Sequence, residues 1–172
     1  MEQRMDIARV APEPYRVMMA FDRYLGETQT DRSLIDLVRM RMAQLDGCNY
    51  TLEIWGKNFS SRTGDRQRLE ELEGWRDSRL YSERERAALA WAEALAEEGN
   101  ATSREAFEDA RRVFSERELV DLTYAAELAH AWNRILLALG APKKKDRSAA
   151  EPTSSGPSAP ITYTTEEMDV PH

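Results

Sequence analysis

Residues 37–58 read LVRMRMAQLDGCNYTLEIWGKN, two helix-like segments parted by Asp46-Gly47 and followed at once by Cys48, the only cysteine of the chain. Before the break, Leu34, Leu37, Val38, Met42 and Leu45 recur at i, i+3, i+4 spacing, which predicts a helix over Ser33 to Leu45 with Asp31 or Thr30 as its cap. Asp46-Gly47 stops it, because glycine takes the left-handed conformation that ends helices. A further helix is predicted from about Cys48 to Arg62, ending near Gly64.

Working outward, residues 1–11 read as a loose arm. Pro12 to Leu25 carries Tyr15, Met18, Met19, Phe21, Tyr24 and Leu25 near helical spacing. Asp65 to Trp75 reads as a short, highly charged helix with Leu69, Leu72 and Trp75 inward. Ser82 with Glu85, and Ser115 with Glu118, are capping-box patterns that open two longer helices, the second running to about Leu139 before Gly140 and Pro142. A short helix from Thr102 or Ser103 to Val113 lies between them. Nothing alternates with period two, so the expected fold class is all-α with roughly seven helices. From Pro142 the composition turns to Lys, Ser, Pro and Thr. The expected division is a helical domain over 1–142 and a flexible tail over 143–172.

The chain has 172 residues, enough for one domain with a core, and a formal net charge of −7. That charge opposes non-specific binding to nucleic acid or anionic membranes. No apolar run approaches a bilayer span, and the N-terminus lacks the apolar core of a signal peptide, so a cytoplasmic protein is expected. A single cysteine excludes an intramolecular disulfide.

Three stretches together, LVRMRMAQLDGCNYTLEIWGKN, SERERAALAWAEAL (82–95) and FSERELVDLTYAAELAHAWNRI (114–135), resemble the carboxymuconolactone decarboxylase-like superfamily, and within it the alkylhydroperoxidase D branch. The similarity runs over about residues 1–141. It implies an all-helical bundle that assembles as a homo-oligomer, a trimer or hexamer. The branch uses a Cys-x-x-Cys-x-x-x-His motif after Asp-Gly or Asn-Gly, with a glutamate twelve residues before the first cysteine. Thiols at i and i+3 near a helix N-terminus share a face, gain acidity from the helix dipole and cycle between dithiol and disulfide. Here Cys48 matches the first cysteine, but Thr51 stands at the second, Trp55 at the histidine and Asp36 at the glutamate. Threonine forms no disulfide and tryptophan does not titrate. Dithiol peroxidase activity is therefore not carried over, nor is the decarboxylase activity of the founding members.

The residues that could carry other chemistry are few. Cys48 at a helix start is either a lone nucleophile or an inert buried thiol. Asp36 is a candidate general base if it points to the Cys48 pocket, and otherwise a solvated or capping carboxylate. Glu127 and His130, spaced i, i+3 on the last helix, are either an acid–base pair or a polar face. As half of a metal site they lack a second motif, since the other histidine is His172, the last residue. Tyr50, Thr51 and Trp55 beside Cys48 are candidates to wall a pocket for an apolar ligand, against plain core filling. The leading expectation is an acid–base enzyme (lyase, isomerase or decarboxylase) acting on a small organic substrate without cofactor or metal. The alternatives are a single-cysteine thiol peroxidase and a non-catalytic oligomeric binding or scaffold protein.

Overall fold

A computed structural model describes residues 4–97 and 104–141. Among the described residues there are eight helices and no strand: α1 (Ile7–Val10), α2 (Pro12–Glu27), α3 (Arg32–Leu45), α4 (Asn49–Thr63), α5 (Gln67–Glu70), α6 (Glu83–Ala96), α7 (Arg104–Val113) and α8 (Glu116–Leu139). The tail expected over 143–172 lies outside the described residues.

The bundle is built around α3, which packs against α4, α6 and α8. A one-sided stripe was expected for it, but α3 is buried all round, from Leu34 to Met40 and on to Met42 and Ala43, while Leu45 is exposed. Ile35 and Met40 fill the angles the stripe leaves, as an internal helix requires. One core joins α3 to α2, α6, α7 and α8 through Leu25, Val38, Trp91, Phe114 and Leu122. A second joins α3 to α4, α6 and the segment after α5 through Leu37, Met40, Phe59, Leu72, Trp75 and Leu89.

The polar ends follow the sequence closely. Asp31 caps α3, its side chain accepting from Ser33 N, and both Ser82 and Ser115 form complete capping boxes. Thr30, the other candidate cap, instead donates to the buried Asp121 of α8 at 2.8 Å.

Two segments depart from expectation. The arm is not loose: Asp6 caps α1, and the backbone N–H groups of Arg4 and Met5 both donate to Leu139 O at 2.9 and 3.0 Å. The C-terminal end of α8 has spare carbonyls, and the arm satisfies two, since the Arg4 guanidinium also donates to Ala138 O at 3.0 Å. The charged helix predicted over 65–75 shrinks to Gln67–Glu70. Glu70, Glu71 and Glu73 lie at its C-terminal end, where carboxylates oppose the helix dipole. Leu72 and Trp75 are buried nonetheless, from turns.

Tyr81 closes the second core. It is 4% exposed, its hydroxyl donates to Arg68 O, and burial pushes its pKa from 10.0 up to about 12. The folded state therefore keeps a proton that the unfolded chain loses above 10.0. Stability from this group is complete below that pH and is lost as pH rises toward about 12. Urea denaturation at successive pH values is expected to show this fall, and Tyr81→Phe to flatten it. An equal slope in the variant would remove Tyr81 as its cause.

Candidate functional site

The α3–α4 turn sets the geometry. Gly47 sits at φ +67°, with open space where a Cβ would stand, so the left-handed backbone alone asks for glycine. The turn lets Cys48 N donate to Ala43 O at 2.8 Å and makes Cys48 the N-cap of α4. The Cys48 side chain makes no capping bond and is completely buried.

Beyond that turn, α4 presents Tyr50, Thr51, Ile54, Trp55 and Asn58 to a cleft of about 410 Å³. Positions i, i+1, i+4, i+5 and i+8 form one helical face. Tyr15, Met19 and Asp22 of α2 line it, with Arg32 of α3, Trp132 and Leu136 of α8, and the N-terminal residues Met5 to Ala8. Tyr15 meets Trp132 edge to face with ring centroids 5.6 Å apart. Trp55 is backed by the Arg39 guanidinium, 4.5 Å from its ring centroid. The cleft is thus an aromatic box of the size and character of a small-molecule site. Cys48 is not among its lining residues.

Its charges are held from behind. Arg39 is 1% exposed and donates to Asp22 Oδ1 at 2.7 Å. Burial lowers its pKa to about 10, partly countered by Asp22, so it remains a cation at neutral pH. Asp36, completely buried, contacts two guanidinium groups: Arg62 bonds its Oδ2, and Arg32 Nε lies 3.4 Å from its Oδ1. Arg32 Nε makes no aligned hydrogen bond despite that contact, although its side chain is 36% exposed at the cleft. The pKa of Tyr50 is raised, first by burial and then by Tyr15 and Glu53, so its phenol stays a proton donor at neutral pH.

A buried polar chain leads away from the cleft. Thr51 Oγ1 donates to Asn133 Oδ1 at 2.5 Å, with Cys48 O at 3.0 Å as its other acceptor. Asn133 Nδ2 donates to Asp46 Oδ2 at 2.6 Å. Asp46 Oδ1 lies 2.8 Å from His130 Nδ1, close but out of line for a hydrogen bond. Asp46 ends α3, where a carboxylate faces the negative end of the helix dipole, and the His130 contact offsets this. His130 itself opens onto a second, polar pocket of about 500 Å³ with Glu127, Arg134 and Glu97.

The sequence-derived candidates therefore fall into three groups. Tyr50, Thr51 and Trp55 stand together in the aromatic cleft. Asp36 and Cys48 are buried and do not line it. His130 pairs with Asp46 and reaches Thr51 only through Asn133, while Glu127 is exposed on the rim of the second pocket. Among the described residues, no three His, Cys, Asp or Glu side chains are grouped as a metal site needs. Sequence reasoning missed Arg32, Asp22, Asp46 and Asn133, and took Tyr15 and Trp132 only as packing residues. A hint was available for one: Asn133 sits on the core side of α8 among Ala129, Trp132 and Leu136.

The chain matches the carboxymuconolactone decarboxylase family over residues 12–94. The uncharacterized protein YdfG of Bacillus subtilis is 27% identical over 141 residues, which span 81% of this chain and 96% of YdfG. An AhpD-like protein of unknown function from Agrobacterium tumefaciens superposes with a TM-score of 0.76 at 28% identity, covering 80% of this chain and 95% of its own. The debrominase Bmp8 shares the fold, with a TM-score of 0.69 at 19% identity over 78% of this chain and 73% of its own. The family match over residues 12–94, the two whole-length likenesses and the helical bundle built around the α3–α4 turn make the chain similar to the carboxymuconolactone decarboxylase-like superfamily, with an alkylhydroperoxidase D-like fold.

Proposed function

We propose that the chain is an acid–base enzyme, working without thiol redox chemistry, that binds a small unsaturated or aromatic organic acid in the Tyr50–Thr51–Trp55 cleft. The observation that carries this reading is the separation of the cleft from the thiol: the aromatic box is open to a ligand, while Cys48 is completely buried and outside its lining. Arg32 is the anion anchor, because its guanidinium is the one cationic group among the described residues that line the cleft. Asp36 acts through Arg32, holding the guanidinium from behind as a positioning residue. Tyr50, kept protonated by burial, is the proton donor, and Asp22, oriented by Arg39, is the acceptor. His130 and Glu127 stand outside the reacting centre.

The family name carries a decarboxylase of a lactone carboxylate, so lactone carboxylates, carboxymuconolactone among them, belong beside aromatic acids in a substrate panel. Proton transfer at carbon leaves a signature in D₂O: loss of a C–H signal, or of the acid itself, by proton NMR. Wild type and Cys48→Ser are expected to act equally on at least one acid of the panel, and Tyr50→Phe to lower that rate by about a hundredfold, the usual size of a general-acid contribution. If no acid reacts while the chain consumes peroxide in a Cys48-dependent way, the single-cysteine peroxidase reading takes its place. The homo-oligomer is part of the same proposal: Val17 and Tyr24 on α2 and Tyr124 on α8 are exposed around Phe21, and a second copy would cover them. Sedimentation giving a monomer mass would remove that part.

A further inference from the structure

Gly26 lies in the last turn of α2, where alanine is the better helix former, and it is not among the positive-φ glycines, so its backbone does not ask for glycine. Space does. A Cβ on Gly26 would overlap Arg32 Nη1 and stand 3.2 Å from Cζ and 3.5 Å from Nη2. The guanidinium therefore lies over the Gly26 backbone, in the room a methyl group would take. Asp36 bounds the group on another side, its Oδ1 3.4 Å from Arg32 Nε, and Arg62 holds Asp36 in turn. Nε is buried, so a ligand in the cleft reaches the cation from its Nη end, the end that rests on Gly26. Gly26 itself does not line the cleft. Asp22, one turn earlier on α2, does, so one face of this helix carries both the proposed proton acceptor and the rest for the anchor.

We propose that Gly26 is a positioning residue for the anion anchor: its missing side chain is the seat that holds the Arg32 guanidinium between Asp36 and the cleft, and so sets where the carboxylate of a substrate lies. The inference rests on the acid-binding reading of the cleft given above and adds to it a residue that touches no ligand. A methyl group on Gly26 meets the far end of a flexible side chain, not backbone. The guanidinium can swing aside at little cost to folding, but it then leaves both its seat and Asp36. Gly26→Ala thus separates the position of the charge from the stability of the helix that supports it.

Isothermal titration calorimetry on the full chain tests this with benzoate, phenylacetate and cinnamate, in wild type, Gly26→Ala, Arg32→Gln and the double variant. For the acid that wild type binds best, Gly26→Ala is expected to weaken binding by about tenfold, the size of one charge-assisted hydrogen bond. Its urea midpoint is expected at or above that of wild type, since alanine favours the helix. The double variant is expected to bind within about twofold of Arg32→Gln, because Gly26 acts only through Arg32. The Arg32 Nε–H proton resonance, assigned by its absence in Arg32→Gln, is expected to shift in Gly26→Ala as the group leaves Asp36. Affinity of Gly26→Ala within about twofold of wild type, additive losses in the double variant, or an unmoved resonance each overturns the role of Gly26 and leaves the acid-binding reading standing. So does weaker binding with a lower urea midpoint, which marks a packing position. If none of the three acids binds to wild type, both readings fall.

Discussion

Replacing Asn133 with leucine is expected to remove about 3 kcal/mol of stability, since two buried hydrogen bonds are lost and one of them goes to a carboxylate. Asn133 has no exposed surface, so water cannot take over from it. Leucine keeps the branched outline and is larger, so no cavity is left, and overpacking adds to the loss. Asp46 would be left at the C-terminal end of α3 with His130 alone, and Thr51 with the Cys48 carbonyl alone. Asn133→Asp is expected to cost more, because it sets two carboxylates side by side. Urea denaturation gives the answer through a lower midpoint at unchanged slope. A loss below about 0.5 kcal/mol in Asn133→Leu would mean that the chain from Thr51 to His130 contributes nothing net.

Arg39→Met is expected to be comparably severe, about 3 kcal/mol, for a different reason. The guanidinium is 1% exposed, its NH1 has no hydrogen-bond partner, and its stabilising contacts are Asp22 and the face of Trp55. Part of its desolvation cost is thus uncompensated in the wild type. Removing Arg39 alone leaves Asp22 unpaired and Trp55 unsupported, whereas removing both charges costs neither. The double variant Arg39→Met/Asp22→Leu is therefore expected to recover most of the loss, and a double-mutant cycle reads the coupling directly. Simple additivity of the two single losses would show that the pair does not act as a unit.

These two residues also show where sequence reading stops. The stretch 37–58 announced the fold because Asp46-Gly47-Cys48 and its flanking helices form a local pattern, and the two capping boxes are readable for the same reason: all their partners lie within four residues. Helical periodicity assigns a side chain to a face but not to a partner. Thr51 and Asn133 are 82 positions apart, and Asn133 and Asp46 are 87 apart, so neither bond could be inferred from spacing. Asp46 was read only as a helix stop, yet it joins His130 to Asn133. Asp36 was read through the family's glutamate, but Arg32 and Arg62, four positions before and 26 after, are what occupy it. The three residues that do meet in the cleft, Tyr50, Thr51 and Trp55, were legible because they share one helix face. Their aromatic partners Tyr15 and Trp132 had the same periodicity as core residues, and periodicity cannot tell a filled interior from an open cleft.

The losses at Thr51 and Trp55 relative to the family motif now have a physical counterpart. Where the motif it resembles has a second cysteine, this chain has a hydrogen-bonded threonine hydroxyl, and where that motif has a histidine, it has a tryptophan ring stacked on Arg39.

The central claim, that the cleft and not the thiol is the working site, is tested most directly by the affinity for an organic acid that the wild type binds, measured side by side in Arg32→Gln and Cys48→Ala. Arg32→Gln is expected to weaken binding by at least about tenfold, as loss of a charge-assisted anchor does, with Cys48→Ala within about twofold of wild type. Loss of binding in Cys48→Ala with Arg32→Gln unaffected would contradict the account.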